Sequence, residues 1–303
     1  MEWIIEVNNL HKRYGETTAL DNISLAVQPG EIFGIIGPNG AGKTTLVESM
    51  VGLRKPDSGT IRVLGRDPQK EGRALRQRIG IQLQEAVLPD AMKTWEALDL
   101  YSTFYETTVD WETLLETWGL AEKRNTRFAQ LSGGQKQRLF IAMALLNDPE
   151  IVFLDEITTG LDPQARRKTW DLVREIQAQG KSVVLVTHFM DEAQELCDRI
   201  AIIDHARLIA LDTPQALIKN LEAEQRVTFS TPAGLDPAVL QALPEVRSVQ
   251  SRNGTTHVEG HGALLVKIVL TLNENSVTPT DFHLESASLE DVFLTLTGRP
   301  LRD

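Results

Sequence analysis

The sequence predicts an α/β fold in which a mostly parallel sheet is covered by helices, and three observations carry that prediction. Short continuous apolar runs recur at Ile32–Ile36, Ile151–Leu154 and Ser182–Val186, with the length and β-branched content of strands buried on both faces. Longer segments of helical periodicity, 135–146 and 163–179, alternate with them. A glycine-rich loop joins the first run to a helical segment that begins at Lys43.

Taken in chain order, Asn22–Val27 alternates polar and apolar residues and reads as a half-buried strand, an antiparallel β edge that opens the fold. Gln28, Pro29, Gly30 and Glu31 then make a turn into the first buried strand. From about 94 to 128 the pattern is continuously helical, with Trp95, Leu98, Tyr101, Phe104, Leu114, Leu115 and Trp118 at near-helical spacing. This predicts a helical subdomain over about 90–145 that interrupts the sheet, its aromatic stripe serving as core. Asp212, Thr213 and Pro214 resemble a cap followed by proline at the first helical position, and that helix fades near Asn220. A domain boundary is expected there, giving domains 1–220 and 221–303.

The second domain reads as strand (Arg226–Ser230), helix (Asp236–Leu243), strand (Val246–Ser251), an Asn253-Gly254 turn, strand (Thr255–Glu259), an apolar segment (Ala263–Leu270) and strand (Asp281–Glu285). If the apolar segment is a helix, this small α+β domain has the split βαβ order of a ferredoxin-like fold. Ser288 and Asp291 then form a capping box before a last helix, Val292–Leu296.

The net charge of −11 disfavours binding to phosphate backbones, so nucleic acid is not an expected partner. The basic clusters Arg73-Arg76-Arg78 and Arg166-Arg167-Lys168 read as solvated helix faces. No run approaches the ~18 apolar residues of a spanning helix, and Met1–Val7 lacks a basic leader, so a soluble, unprocessed chain is expected. The lone Cys197 lies in a helical context without metal-ligand spacing and reads as packing in a reducing compartment. His257 and His261 are four apart, but Gly260 and Gly262 argue against a helix that would align them on a metal.

Chemistry concentrates at the ends of the buried strands. Gly37, Pro38, Asn39, Gly40, Ala41, Gly42, Lys43, Thr44 and Thr45 have P-loop spacing. Glycines let backbone N–H groups curl around phosphates, Lys43 reaches the terminal ones and the Thr44 hydroxyl suits Mg²⁺. Asp155 and Glu156 end the second buried strand, where open α/β sheets bind ligands. Asp155 suits a role on Mg²⁺ and Glu156 that of a general base polarising the attacking water. His188 follows the third buried strand and would face the same γ-phosphate. Gln84 occupies a similar position after Ile79–Leu83, where it suits Mg²⁺ or water.

With Leu131, Ser132, Gly133, Gly134 and Gln135 added, the chain resembles the ATP-binding subunit of an ABC transporter over about residues 3–220. Gln84 matches that family's Q-loop, Leu131–Gln135 its LSGGQ signature, Asp155 and Glu156 its Walker B pair, Gly160-Leu161-Asp162 its D-loop and His188 its H-loop. Tyr14 resembles the aromatic that stacks on adenine. The resemblance implies a P-loop cassette with ATP and Mg²⁺ as cofactors, working as a head-to-tail dimer in which the P-loop of one copy faces Ser132 and the glycines of the other. It further implies separate transmembrane permease subunits and a place on the cytoplasmic face of the membrane. Ile157 departs from the family's usual proline after the Walker B glutamate, a change of loop stiffness rather than of chemistry.

Single-cassette length and the tail Ser288–Arg299 resemble the bacterial drug, antibiotic and polysaccharide exporter branch. An importer ATPase is the nearer alternative. A soluble ABC-type ATPase of translation or DNA repair usually has two cassettes or a long coiled-coil insertion, and this chain has neither. The tail is expected to act as an accessory, regulatory or dimer-stabilising module.

Overall fold

The computed structural model describes residues 3–83, 87–220, 225–230, 236–252, 254–275, 277–285 and 287–298. Two compact units divide the chain between Pro214 and Gln215. The first contains β1 (Ile5–Tyr14), β2 (Thr17–Val27), β3 (Ile32–Ile36), α1 (Lys43–Met50), β4 (Ser58–Val63), α2 (Gly72–Arg76) and β5 (Ile79–Gln82). It continues through α3 (Thr94–Ser102), α4 (Trp111–Thr117), α5 (Gly133–Ala144), β6 (Ile151–Asp155), α6 (Pro163–Ala178), β7 (Ser182–Thr187), α7 (Met190–Leu196), β8 (Arg199–Asp204) and β9 (Arg207–Asp212). Helix α8 (Pro214–Asn220), with Pro214 at its start, crosses the division.

A six-stranded sheet has the order β5-β6-β7-β3-β8-β9, parallel from β5 to β8 and closed by an antiparallel β8–β9 hairpin. Every residue of β3, β6 and β7 is buried, which is why these strands read as unbroken apolar runs. A separate antiparallel sheet, β2-β1-β4, shares one core with the larger sheet: Ile5, Val7 and Leu10 join Leu46 and Met50 of α1 and Phe33, Val184 and Ile203. Strands β1 and β4 lack a clean apolar alternation, and the pairing of β1 shifts register on either side of Asn8 and Asn9, where Asn9 has φ +50°.

The expected continuous helix over 94–128 is corrected. Only α3, α4 and two 3₁₀ turns, Ala121–Lys123 and Phe128–Gln130, form there. Asp110 starts α4 afresh by accepting from the N–H groups of Glu112 and Thr113, and Gly119 at φ +60° follows its end. Leu98, Leu114, Leu115 and Trp118 are buried as expected, but Phe104 is 62% exposed and packs edge-on against Tyr101 only 5.5 Å away.

The second unit holds β10 (Gln225–Ser230), α9 (Pro237–Gln241), β11 (Val246–Arg252), β12 (Thr255–Gly260), α10 (Leu264–Glu274), β13 (Thr280–Glu285) and α11 (Leu289–Thr297). Its antiparallel sheet runs β11-β12-β10-β13. Leu264, Ile268 and Leu272 of α10 pack on Val227, Phe229 and Val258, so the apolar segment is a helix with one inward stripe. Ser288 and Asp291 form the expected capping box of α11. The Asn253 half of the expected turn lies outside the described residues.

Candidate functional site

Three neighbouring strands, β6, β7 and β3, deliver the chemistry to one edge of the sheet. From β3 the chain enters the loop Gly37–Gly42, and α1 starts at Lys43, so its first-turn N–H groups and positive dipole end face the loop. Gly42 has φ +107°, and a Cβ there would lie 2.2 Å from the Ala19 carbonyl oxygen, so glycine is required by both conformation and space. Thr44 is exposed and Thr45 half-buried at the start of α1. The Lys43 ammonium folds back over the loop and donates to the carbonyls of Gly37 (2.8 Å) and Pro38 (3.1 Å). Burial pushes its pKa down, while the neighbouring Glu156 and Asp155 carboxylates pull it up.

Asp155 closes β6 and is 2% exposed. Its Oδ2 has no hydrogen-bond partner among the described residues, and the acid is pushed up to about 6, first by burial, then by Glu156, with Lys43 opposing. A buried carboxylate oxygen without a donor, with a second carboxylate next to it, fits a hard divalent cation. Glu156 follows at φ +51°, an uncommon backbone conformation for a non-glycine residue, with its N–H donating to the Val186 carbonyl of β7 at 2.9 Å. That turn aims the Glu156 carboxylate at His188: Nδ1 lies 3.1 Å from Oε1. A carboxylate oxygen accepts, so this contact takes a proton on Nδ1 of the ring. Ile157 is fully buried behind this turn.

The remaining motif residues form a second group. Ser132 caps α5: its Oγ accepts from the Gln135 N–H, and its own N–H donates to Gln135 Oε1 at 2.9 Å. Asp162 caps α6 by accepting from the N–H groups of Gln164 and Ala165, with Pro163 at the first helical position. The two helix starts pack side by side, since a methyl on Gly134 would lie 3.4 Å from Ala165 Cβ and one on Gly133 3.8 Å from Leu161. Together they open a recess of about 270 Å³ lined by Ser132, Gly133, Gly134, Leu161, Asp162 and Lys168 among others, and by none of Lys43, Asp155, Glu156 or His188.

Tyr14, at the end of β1, is 42% exposed, with Lys12 Nζ 5.4 Å and Arg54 Cζ 5.6 Å from its ring centre. Gln84 lies outside the described residues. Cys197 is buried and free, in keeping with a packing role. His257 bonds Thr228 Oγ1 across β12 and β10, and among the described residues no group of three or more metal-ligating side chains forms. Sequence reasoning missed Trp170, Glu192 and the contacts of Arg166. Glu192 is fully buried on α7 and accepts from Trp170 Nε1 at 2.9 Å, and burial raises its pKa. A glutamate on an apolar helix face was the available signal.

A phosphate-cradling loop, a desolvated acid pair and a histidine on adjacent parallel strands define a P-loop nucleoside triphosphatase. The chain belongs to the ABC transporter family as an ATP-binding subunit, an enzyme whose ATP hydrolysis is coupled to transport. The family model for ABC transporters matches residues 20–159. The chain is 38% identical over 309 residues to the Nod factor export ATP-binding protein I of Burkholderia orbicola, covering 99% of this chain and 98% of that protein. The protein of the same name in Sinorhizobium fredii is 37% identical, with 99% and 87% covered. A solved ATP-binding cassette in its ADP conformation superposes with a TM-score of 0.65 at 28% identity, covering 73% of this chain and 94% of that one. A dimeric cassette bound to ADP and phosphate superposes at 0.61 and 28%, covering 69% and 98%.

Proposed function

We propose that this chain is the motor of an exporter, working as a pair of identical copies that hold each ATP between the P-loop of one and Ser132–Gln135 of the other. The observation that carries this reading is the separation of its phosphate-facing groups: the recess beside Ser132 and Asp162 excludes Lys43, Asp155, Glu156 and His188, so an anion site at the start of α5 has no phosphate of its own to meet. The dimeric neighbour bound to ADP and phosphate supports a pair of cassettes as the working unit. The relatives named for Nod factor export support export over uptake.

In this mechanism the Gly37–Thr45 backbone and Lys43 bind the β- and γ-phosphates, and Tyr14 stacks on the base. Thr44, Asp155 and the Q-loop residue Gln84 would hold Mg²⁺, which when bound offsets phosphate charge. Glu156 takes the proton of the attacking water as it adds in line to the γ-phosphorus and ADP leaves. His188, held 3.1 Å from Glu156 here, orients that water or the γ-phosphate. Asp162 and the signature residues bring the second copy into register. The likeness to ATP-binding proteins of an export system supports separate permease subunits that form the path and hold the motor at the membrane's inner face. Among the described residues no helix is long and apolar enough to cross a membrane. The strand order β11-β12-β10-β13 of the second unit supports a ferredoxin-like accessory domain over about 221–303. Affinity purification from native membranes tests the reading: recovery with a multi-helix membrane protein is expected, and recovery with ribosomes or DNA instead would overturn it.

A further inference from the structure

In the basic run 166–168, Arg167 and Lys168 are exposed, as a solvated face requires. Arg166 departs from that expectation. Half-buried in the first turn of α6, its guanidinium lies 3.0 Å from Asp191 Oδ2 on α7, 5.4 Å from the centre of the Phe189 ring and 5.5 Å from that of Trp170. The Phe189 ring is in turn packed 4.2 Å, centre to centre, from the imidazole of His188. The Phe189 N–H donates to Thr187 Oγ1 at 3.0 Å, which anchors the backbone of this turn, and the guanidinium lies against the ring that it carries. At its other end, the Arg166 N–H donates to the carbonyl of Asp162, and its neighbour Ala165 packs on Gly134 of α5.

Resting on the catalytic reading of His188 above, we propose that Arg166 is a positioning residue that clamps Phe189 against His188 and so ties the Ser132–Asp162 face of the chain to its own P-loop site. Seating of a second copy's nucleotide on α5 and α6 would then be felt, through one side chain, at the histidine beside Glu156. The chemistry asks for arginine: a planar guanidinium stacks on a ring while its edge pairs with a carboxylate, whereas a lysine keeps the charge and loses the flat face. A purely structural staple between α6 and α7 has the same contacts but does not act through His188, and a mutant cycle separates the two.

The test is single-turnover ATP hydrolysis by the intact chain, protein in excess, for Arg166→Ala, His188→Ala, the double variant and Arg166→Lys. Arg166→Ala is expected to slow hydrolysis about tenfold, as misplacement of a catalytic group does, with ATP affinity within about twofold because the P-loop is untouched. In the His188→Ala background it should slow the reaction no further, and Arg166→Lys should fall between. If Arg166→Ala does not fold, Phe189→Leu carries the same cycle, keeping bulk and removing the aromatic face. Factors that multiply in the double variant, or wild-type hydrolysis by Arg166→Ala, overturn the inference alone. Wild-type hydrolysis by His188→Ala overturns the reading of His188 and the inference with it.

Discussion

Asp155→Asn should make the nucleotide-free protein more stable and stop it working. In the folded chain the Asp155 carboxyl is raised from 3.8 to about 6, chiefly because it is taken out of water, and its Oδ2 has no donor among the described residues. A carboxyl whose folded pKa lies above its unfolded one binds more protons when folded, so folding loses stability as pH rises from about 4 to about 6, and the penalty is complete above that. Two pH units correspond to roughly 3 kcal/mol at neutral pH, and to about half of that at pH 5, where the folded acid is largely protonated. Asparagine keeps the shape and removes the charge. The attraction of the Lys43 ammonium is already contained in that net shift, but the asparagine amide is itself buried without a partner, which offsets part of the gain, so about 1–3 kcal/mol is expected, or roughly 2–10 °C in Tm for a unit of this size. Thermal unfolding in EDTA without nucleotide, at pH 5 and pH 7.5, reads the difference, and steady-state hydrolysis with Mg²⁺ and ATP reads the loss. A variant no more stable than wild type at pH 7.5, or one whose advantage does not shrink at pH 5, would refute the reasoning that this acid is held at a desolvation cost for a cation.

Lys43→Ala should weaken ATP binding about tenfold or more by calorimetry, since the ammonium that caps the Gly37 and Pro38 carbonyls is the one that turns to phosphate; unchanged affinity would count against the P-loop reading. Gly134→Ala places a methyl in ordinary contact with Ala165, and alanine favours a helix by about 1 kcal/mol, so Tm should hold or rise while hydrolysis is lost to the methyl facing the other copy's phosphate. Retained hydrolysis would show that nothing approaches that glycine. Phe153→Ala, in the middle of fully buried β6, should lower stability by about 3–5 kcal/mol in urea titration, and a loss under 1 kcal/mol would contradict the packing described for the sheet.

The parallel core was legible because β3, β6 and β7 are buried on both faces and so leave continuous apolar runs, each followed by its functional residue at the strand end. Strand β1 was not, because the Asn8–Asn9 irregularity breaks the alternation that a half-buried strand needs, and β4 alternates only over its last three residues, Ile61–Val63. The helical subdomain looked continuous because aromatic residues recur at helical spacing through it. Asp110 and Gly119 carry the breaks, and their capping chemistry outweighs that periodicity. Within the site, residue types and order were readable, but the bond from His188 to Glu156 spans 32 positions and exists only because β6 and β7 pair in parallel register. The left-handed turn at Glu156 leaves no mark in the sequence, and Arg166 is indistinguishable there from its two exposed neighbours.

The composite ATP site is tested most directly by the mass of the Glu156→Gln chain in sedimentation velocity with saturating ATP. Without its base the variant binds ATP and does not clear it, so a closed pair should persist: a dimer with ATP, a monomer without it and turnover reduced by orders of magnitude. A Glu156→Gln chain that remains a monomer with ATP bound, or that hydrolyses ATP at the wild-type rate, would contradict the account.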